Sequence, residues 1–335
     1  MEQQNKPEQN KAPKDRTKIR KIVRGLILFA VYLFIVYFLV RYALNNADTI
    51  GKIREAPLRY SLISIACISI GLALTGVMDC YCIRVFDVEI GYGESIGLTY
   101  IASAVNRVLP LQLGSAVKAV YLKKKMDLAY SKYISIISGT IVINLMVTFV
   151  QLIVCLVISA FEWELDAMYI VLLLAIFAAG MLAFFLVMRF QDAILRILPF
   201  KKVSVPIMSG FFELMRSKKA VWAVTLNLVI HALLGGVNFS ALFNMLGYDG
   251  GMLNSMLYFG IFNASSIIPI LPGNIGISEA IVGLTNQILN SDFDIGVLVV
   301  LVYRVFFYLV TFAGALLAAA PVWILYNRNK GEKRS

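Results

Sequence analysis

Apolar residues fall along this chain in long unbroken blocks, separated by short polar clusters. About 20 apolar residues at 1.5 Å each cross the hydrocarbon core of a bilayer. Blocks of that length predict full spans near residues 25–44, 58–82, 133–161, 168–188, 221–246 and 295–326. Two further apolar stretches are interrupted. Residues 95–122 contain Pro110 and Gly114, and residues 252–289 contain Pro269, Pro272, Gly273 and Gly276. The ten-residue alternation of an outer-membrane barrel is absent. The pattern predicts an all-α polytopic membrane protein with eight hydrophobic elements, six of them full spans. Residues 1–23 read as a disordered basic tail, 24–326 as the membrane domain, and 327–335 as a second basic tail. The first apolar run is too long for a signal-peptide core and no small-residue cleavage site follows it, so it reads as a retained span.

Composition agrees with this picture. Of 335 residues, 59% are hydrophobic and 15% charged, with a mean hydropathy of +0.78. A soluble domain of this length needs more charge to solvate its surface. Lys and Arg number 31 against 20 Asp and Glu, a net charge of +11. In a soluble protein that surplus would raise nucleic-acid binding. Here the basic residues flank apolar spans, which is the footprint of membrane orientation, with anionic lipid as the natural partner and nucleic acid excluded. Eight basic residues precede residue 25, four lie in 123–132, seven in 189–219, and the C-terminal tail adds Arg328, Lys330, Lys333 and Arg334. All are expected in the cytoplasm, so both termini are too. The connections at 162–166, 247–251 and 290–294 hold no Lys or Arg and suit the outside. The loop carrying Lys52, Arg54 and Arg59 fits least well.

This assignment constrains the interrupted stretches. A complete crossing by 95–122 would put Lys123, Lys124, Lys125 and Lys132 outside and invert every later loop. The charge rule is met if this stretch enters from the cytoplasm, turns and leaves on the same side, and if 252–289 does so from the outside. Irregular backbone at membrane depth is tolerated only where protein or a watery cavity surrounds it. The two breaks resemble each other: Val108-Leu109-Pro110-Leu111-Gln112-Leu113-Gly114-Ser115 and Ile267-Ile268-Pro269-Ile270-Leu271-Pro272-Gly273-Asn274. Span, span, hairpin, span occurs twice, once from each side, which is the order of an inverted repeat. Paired interrupted segments at matching positions point to a transporter's central site.

Ionisable groups inside a bilayer are costly and are functional candidates. Arg107, Lys118, Glu279 and Arg304 are the main ones, with Asp79 and His231 behind them. Three cations against one carboxylate suit an anion. A half-helix that starts inside the membrane presents free N–H groups and the positive end of its dipole. Ser115 is a candidate cap for one such start, on the same face as Lys118. Glu279 would lie in the first turn of the other, near Gly276. Each residue also has a structural reading. Lys118 can snorkel to the cytoplasmic face, Glu279 can cap its helix or pair with Arg304, Asp79 can pair with Arg84, and His231 can be a hydrogen-bonded helix contact. Cys67, Cys80, Cys82 and Cys155 read as buried small hydrophobes. A single histidine and no second cysteine pair argue against a metal site, and no phosphate loop is present, so no cofactor is expected. The longest loop outside the bilayer, 189–220, is too short for an enzyme domain.

Three of these segments resemble the lysylphosphatidylglycerol synthase membrane-domain family, also called the flippase-like family. They are Asn106-Arg107-Val108-Leu109-Pro110 with Gly114 and Lys118; Leu271-Pro272-Gly273-Asn274-Ile275-Gly276-Ile277-Ser278-Glu279; and Tyr303-Arg304. The chain departs from the family at Ser115, where an acid is usual, and at Asn274, where glycine is usual. The resemblance implies handling of phospholipids or polyprenyl-linked lipids at the plasma membrane, with Arg107, Ser115, Lys118, Glu279 and Arg304 at the lipid headgroup. In the full-length synthases a soluble C-terminal domain transfers lysine from charged tRNA to phosphatidylglycerol. The chain ends nine residues after the last span, so that domain is expected to be missing from it. The expectation is a lipid flippase. The alternatives are a membrane subunit of a phosphatidylglycerol lysyltransferase, and a scaffold for a lipid-linked glycosyltransferase. Both a homo-oligomer and a partner transferase remain compatible with the sequence.

Overall fold

The computed structural model describes residues 53–108, 113–163, 201–267, 274–290 and 292–332, with isolated positions besides. The helices are α1 (Leu58–Arg84), α2 (Tyr92–Val108), α3 (Leu113–Met126), α4 (Tyr130–Trp163), α5 (Lys201–Arg216), α6 (Lys218–Met245), α7 (Met252–Ile267), α8 (Ile277–Asn290) and α9 (Phe293–Glu332). All belong to a unit of residues 47–335, and residues 1–46 form a unit of their own. The spans expected at 25–44 and 168–188 lie outside the described residues, as do Pro110, Pro269, Pro272 and Gly273.

Among the described residues, four segments are long and apolar enough to cross a membrane: Leu58–Arg84, Tyr130–Ile158, Lys218–Met245 and Phe293–Tyr326. The other helices of the two interrupted stretches have 17, 14, 16 and 14 residues. At 1.5 Å per residue each reaches only about 21–26 Å, short of the roughly 30 Å hydrocarbon core. They are arranged as two antiparallel pairs. In the first, Lys125 in the last turn of α3 is ion-paired at 2.7 Å with Glu94 in the first turn of α2. In the second, Ser265 at the end of α7 donates to Ser278 at the start of α8 at 3.1 Å, and the Tyr258 hydroxyl in the middle of α7 donates to Asn286 Oδ1 further along α8 at 2.8 Å. Each stretch therefore returns to the end of the bundle from which it set out.

The tips of these hairpins are closed alike. Asn106 Oδ1 accepts the Gly114 N–H at 2.7 Å. Asn274 donates its amide to the Ser265 carbonyl across the other break. Gly114 lies so close to α2 that a Cβ there would collide with the Ala102 carbonyl oxygen. Close backbone approach of this kind is what small residues permit where lipid supplies no hydrophobic drive between helices.

α1 lies along α6, and this pair forms the centre of the unit. The hairpin helix α2 packs on α9, and its counterpart α7 packs on α4. The α4–α7 contact is polar: Asn263 donates to Asn144 Oδ1 (3.1 Å) and Thr148 Oγ1 (2.9 Å), and Gln151 donates to the Met256 carbonyl (2.8 Å). α9 is the most enclosed span, with 67% of its apolar window buried against 28–39% for the other three. Large apolar side chains stand exposed around the bundle, among them Trp222, Leu226, Leu309, Leu316 and Trp323. Such surface marks contact with an apolar medium.

One end of the bundle gathers the basic residues. α5 falls within the loop expected at 189–220 and lies against the start of α4. The Ser135 hydroxyl donates to the Ile207 carbonyl at 2.6 Å, and Gly139 faces Leu214. Ser217 then caps α6 by accepting the Ala220 N–H at 3.4 Å. At the same end Lys132 lies over the Phe86 ring, 5.1 Å from its centroid, just past the end of α1. Arg84, Lys123, Lys124, Lys125, Lys132, Arg216, Lys218 and Lys219 therefore share one end.

Candidate functional site

The two hairpin tips meet one turn of α9. From the first tip, the Arg107 guanidinium lies over Phe307, 4.3 Å from the ring centroid, with Tyr308 at 5.9 Å. From the second, Glu279 takes the Arg304 Nε–H, and Arg304 Nη2 donates to Glu279 Oε2 at 3.3 Å and to the Asn274 carbonyl at 3.2 Å. Arg304 and Phe307 are three residues apart, hence neighbours on one face of α9. Arg107 and Arg304 are thus brought together.

Glu279 does more than pair. Its Oε2 accepts the Gly276 N–H at 2.8 Å, the reciprocal half of a capping box, so the start of α8 is already satisfied by a carboxylate. Gly276 itself has φ 89°, a left-handed conformation that suits glycine. Ser278 accepts from Ser265, which ties α8 to the end of α7 at 3.1 Å. Glu279 is 2% exposed and Arg304 7%, so this pair is fully enclosed. Its structural reading and its place at the break are both realised.

Lys118 goes elsewhere. Its amine is ion-paired with Asp79 of α1 and donates to Thr99 Oγ1 of α2 at 3.0 Å. Thr99 lies eight residues before Arg107 on α2, about 12 Å along the axis. Three expectations are corrected here. Lys118 does not snorkel outward: it is 4% exposed and held by a carboxylate. Asp79 does not pair with Arg84. A long lysine rising from α3 meets Asp79 from the side, whereas Arg84 turns to Tyr92, donating to its hydroxyl at 3.2 Å. Ser115 is not a cap either, because α3 is already helical at Leu113 and Ser115 falls inside its first turn.

Sequence reasoning missed Glu94, Thr99, Lys125, Asn106 and Asn274 as ties of the hairpins. The polar residues within apolar stretches were the available signal. Lys125 was counted with its loop neighbours Lys123 and Lys124, yet it is buried beside Tyr121, whose hydroxyl also donates to Glu94 at 2.7 Å.

The electrostatic result is selective. Lys118 and Arg304 each have a carboxylate partner, and Arg107 has none among the described residues. Its Nε is enclosed and without a hydrogen-bond partner, as are Tyr308 Oη and Asn274 Oδ1 nearby. A guanidinium with unused donors at a break between helices is suited to an oxyanion, which it binds through paired N–H groups.

Comparison with known families matches residues 22–314 to the lysylphosphatidylglycerol synthase TM region. No curated protein and no solved structure matches the chain.

Proposed function

Because the chain belongs to the lysylphosphatidylglycerol synthase transmembrane family, we propose that it is a lipid flippase-like transporter that holds an anionic headgroup between two re-entrant hairpins. The observation that carries this reading is Arg107, half-buried with its Nε enclosed and unbonded, which has no carboxylate partner among the described residues while Lys118 and Arg304 each have one. Arg107 would anchor the phosphate of a phospholipid or polyprenyl-linked lipid. Glu279 and Arg304 would hold the second tip in shape, and Lys118 would hold α3 to α1. The four short helices are the hairpins of an inverted repeat, in which α1 to α4 correspond to α6 to α9. Support comes from the matched packing of α2 on α9 and α7 on α4, and from the matched asparagine ties at the two tips. The plasma membrane is the expected site.

The test is lipid translocation in liposomes with short-chain fluorescent phosphatidylglycerol. Arg107→Gln removes a charge-assisted bond of about 1.5–3 kcal/mol, so the rate should fall roughly tenfold or more. An Arg107→Gln protein that flips lipid at the wild-type rate would overturn the assignment. Lipid analysis of a deletion strain separates the enzymatic alternative. Unchanged aminoacyl-lipid with altered sidedness supports flipping, and loss of the aminoacyl-lipid itself supports a lysyltransferase subunit.

A further inference from the structure

Two hydrogen-bond donors beside the first tip have nothing to bond. Arg107 Nε and Tyr308 Oη are both enclosed, and neither has a partner among the described residues. They are neighbours: the Arg107 guanidinium lies 5.9 Å from the centre of the Tyr308 ring and 4.3 Å from that of Phe307. The N–H groups of a guanidinium lie in its own plane, so stacking on Phe307 uses the face of the group and leaves its edge free to donate. Enclosed donors without partners are costly, and two side by side call for one acceptor that serves both. Arg107 can only donate, so the shared partner must accept, and beside a guanidinium the best acceptor is an oxyanion. Asn274 Oδ1, the other enclosed atom without a partner near the tips, is itself an acceptor and cannot serve an anion. His231 is not among these groups. Its ring packs on Phe259, 5.5 Å between centroids, where a hydrogen-bonded helix contact was expected.

α9 holds Tyr308 in this place. Arg304 and Tyr308 are four residues apart and so share a face. Arg304 is tied to Glu279 and to the Asn274 carbonyl, which pins this turn of α9 to the second tip while Arg107 meets it from the first. The Tyr308 ring packs edge-on against Phe312, 6.4 Å between centroids. Phe312 belongs with Val305, Leu309 and Leu316 to one exposed apolar stripe of α9, at spacings of four, three and four. Such a stripe faces hydrocarbon. Tyr308 thus touches the lipid-facing stripe through Phe312 and lies beside Arg107 on its other contact. A lipid whose chains lie along the stripe brings its phosphate to Tyr308 without leaving the bilayer.

We propose that Tyr308 is a second ligand of the headgroup, donating its hydroxyl to the same lipid phosphate that Arg107 holds. This rests on the reading of Arg107 given above. Tyr308 adds a neutral donor at a fixed angle to the charged one, so the phosphate is oriented as well as attracted.

The experiment uses calorimetry on the full chain in detergent with three probes: dioctanoyl phosphatidylglycerol, dioctanoylglycerol, which lacks the phosphate, and inorganic phosphate. Tyr308→Phe keeps the ring and removes one hydroxyl. It should weaken phosphatidylglycerol binding about tenfold, the effect of one hydrogen bond to a charged group. Any affinity for dioctanoylglycerol should be the same in the wild type and the variant. Combining Tyr308→Phe with Arg107→Gln should cost less than the product of the two single losses, because both donors serve one anion. Wild-type affinity for phosphatidylglycerol in Tyr308→Phe overturns the proposal, since water alone would then satisfy the hydroxyl. An equal loss for dioctanoylglycerol overturns it as well, because the role would be structural, and so do losses that simply multiply. Inorganic phosphate that binds as tightly as the lipid overturns the assignment to a lipid. Arg107→Gln separates the two readings. If it loses binding while Tyr308→Phe does not, the anion site stands without Tyr308, whereas wild-type binding by Arg107→Gln removes the anion site itself.

Discussion

The charged side chains inside the bundle divide by what compensates them. Glu279 and Arg304 are an enclosed pair with supporting bonds to Gly276 and Asn274. Removing one member strands the other, which costs about 3–5 kcal/mol where both are enclosed, while removing both is far milder. Glu279→Gln should therefore lower the melting temperature of the detergent-purified protein more than the double variant Glu279→Gln with Arg304→Met. Equal or greater loss in the double variant would show that the pair itself, and not the stranded charge, stabilises the site. The pair of Lys123 with Asp127 lies at the other extreme, with side chains 39% and 80% exposed. Exposed pairs of that kind contribute ~0–1 kcal/mol, so Lys123→Ala should leave the melting temperature nearly unchanged. The sequence could name Glu279 and Arg304 as partners because both interrupt apolar runs. It could not choose between Lys118 with Asp79 and Asp79 with Arg84, because that depends on how far α3 leans over α1. Helical spacing does not settle it, since residues five apart on one helix do not share a face.

At the scale of elements, apolar length identified the four spans that fall among the described residues, since 58–82 and 221–246, for example, differ from α1 and α6 by a few residues at most. It located the breaks but not their closure, because Asn106 and Asn274 are ordinary polar residues until the chain turns back on itself. It missed α5 altogether. That helix buries Phe211, Phe212 and Leu214 against its neighbours while leaving Glu213 and Arg216 exposed, and its Pro206 and short apolar face hide it among loop residues. The hairpin geometry makes a sharp contrast between glycines. Gly114→Ala forces a methyl group into the Ala102 carbonyl, so the first hairpin must open, whereas at Gly93, in the first turn of α2, a methyl group meets nothing within 4 Å. Gly93→Ala should be neutral or stabilise by up to about 1 kcal/mol. Gly114→Ala should sharply reduce the yield of monodisperse protein on size exclusion, and a normal yield from it would contradict the close α2–α3 packing.

For the molecule as a whole, the sidedness of the basic residues joins sequence, packing and transport. Positive loops stay in the cytoplasm, so a chain whose two interrupted stretches both crossed fully would scatter its lysines over both faces. The fold collects them. Lys124 ends α3, a few residues before α4 begins, and Lys219 opens α6 directly after α5, which is bonded to that same beginning of α4 through Ser135. The connection between α6 and α7, with Asp249, lies one α6 length away: 28 residues, or about 42 Å. Single cysteines at Lys124 and Lys219 should accordingly react with a membrane-impermeant maleimide only after the cell is permeabilised, while one at Asp249 should react in intact cells. Reaction of a cysteine at Lys124 in intact cells, with one at Asp87 just past α1 reacting only after permeabilisation, would mean that 95–122 crosses the bilayer, and that stretch would then cease to be re-entrant. Arg107 would lie within an ordinary span, and a headgroup arriving from one leaflet would have no paired break through which to reach the other.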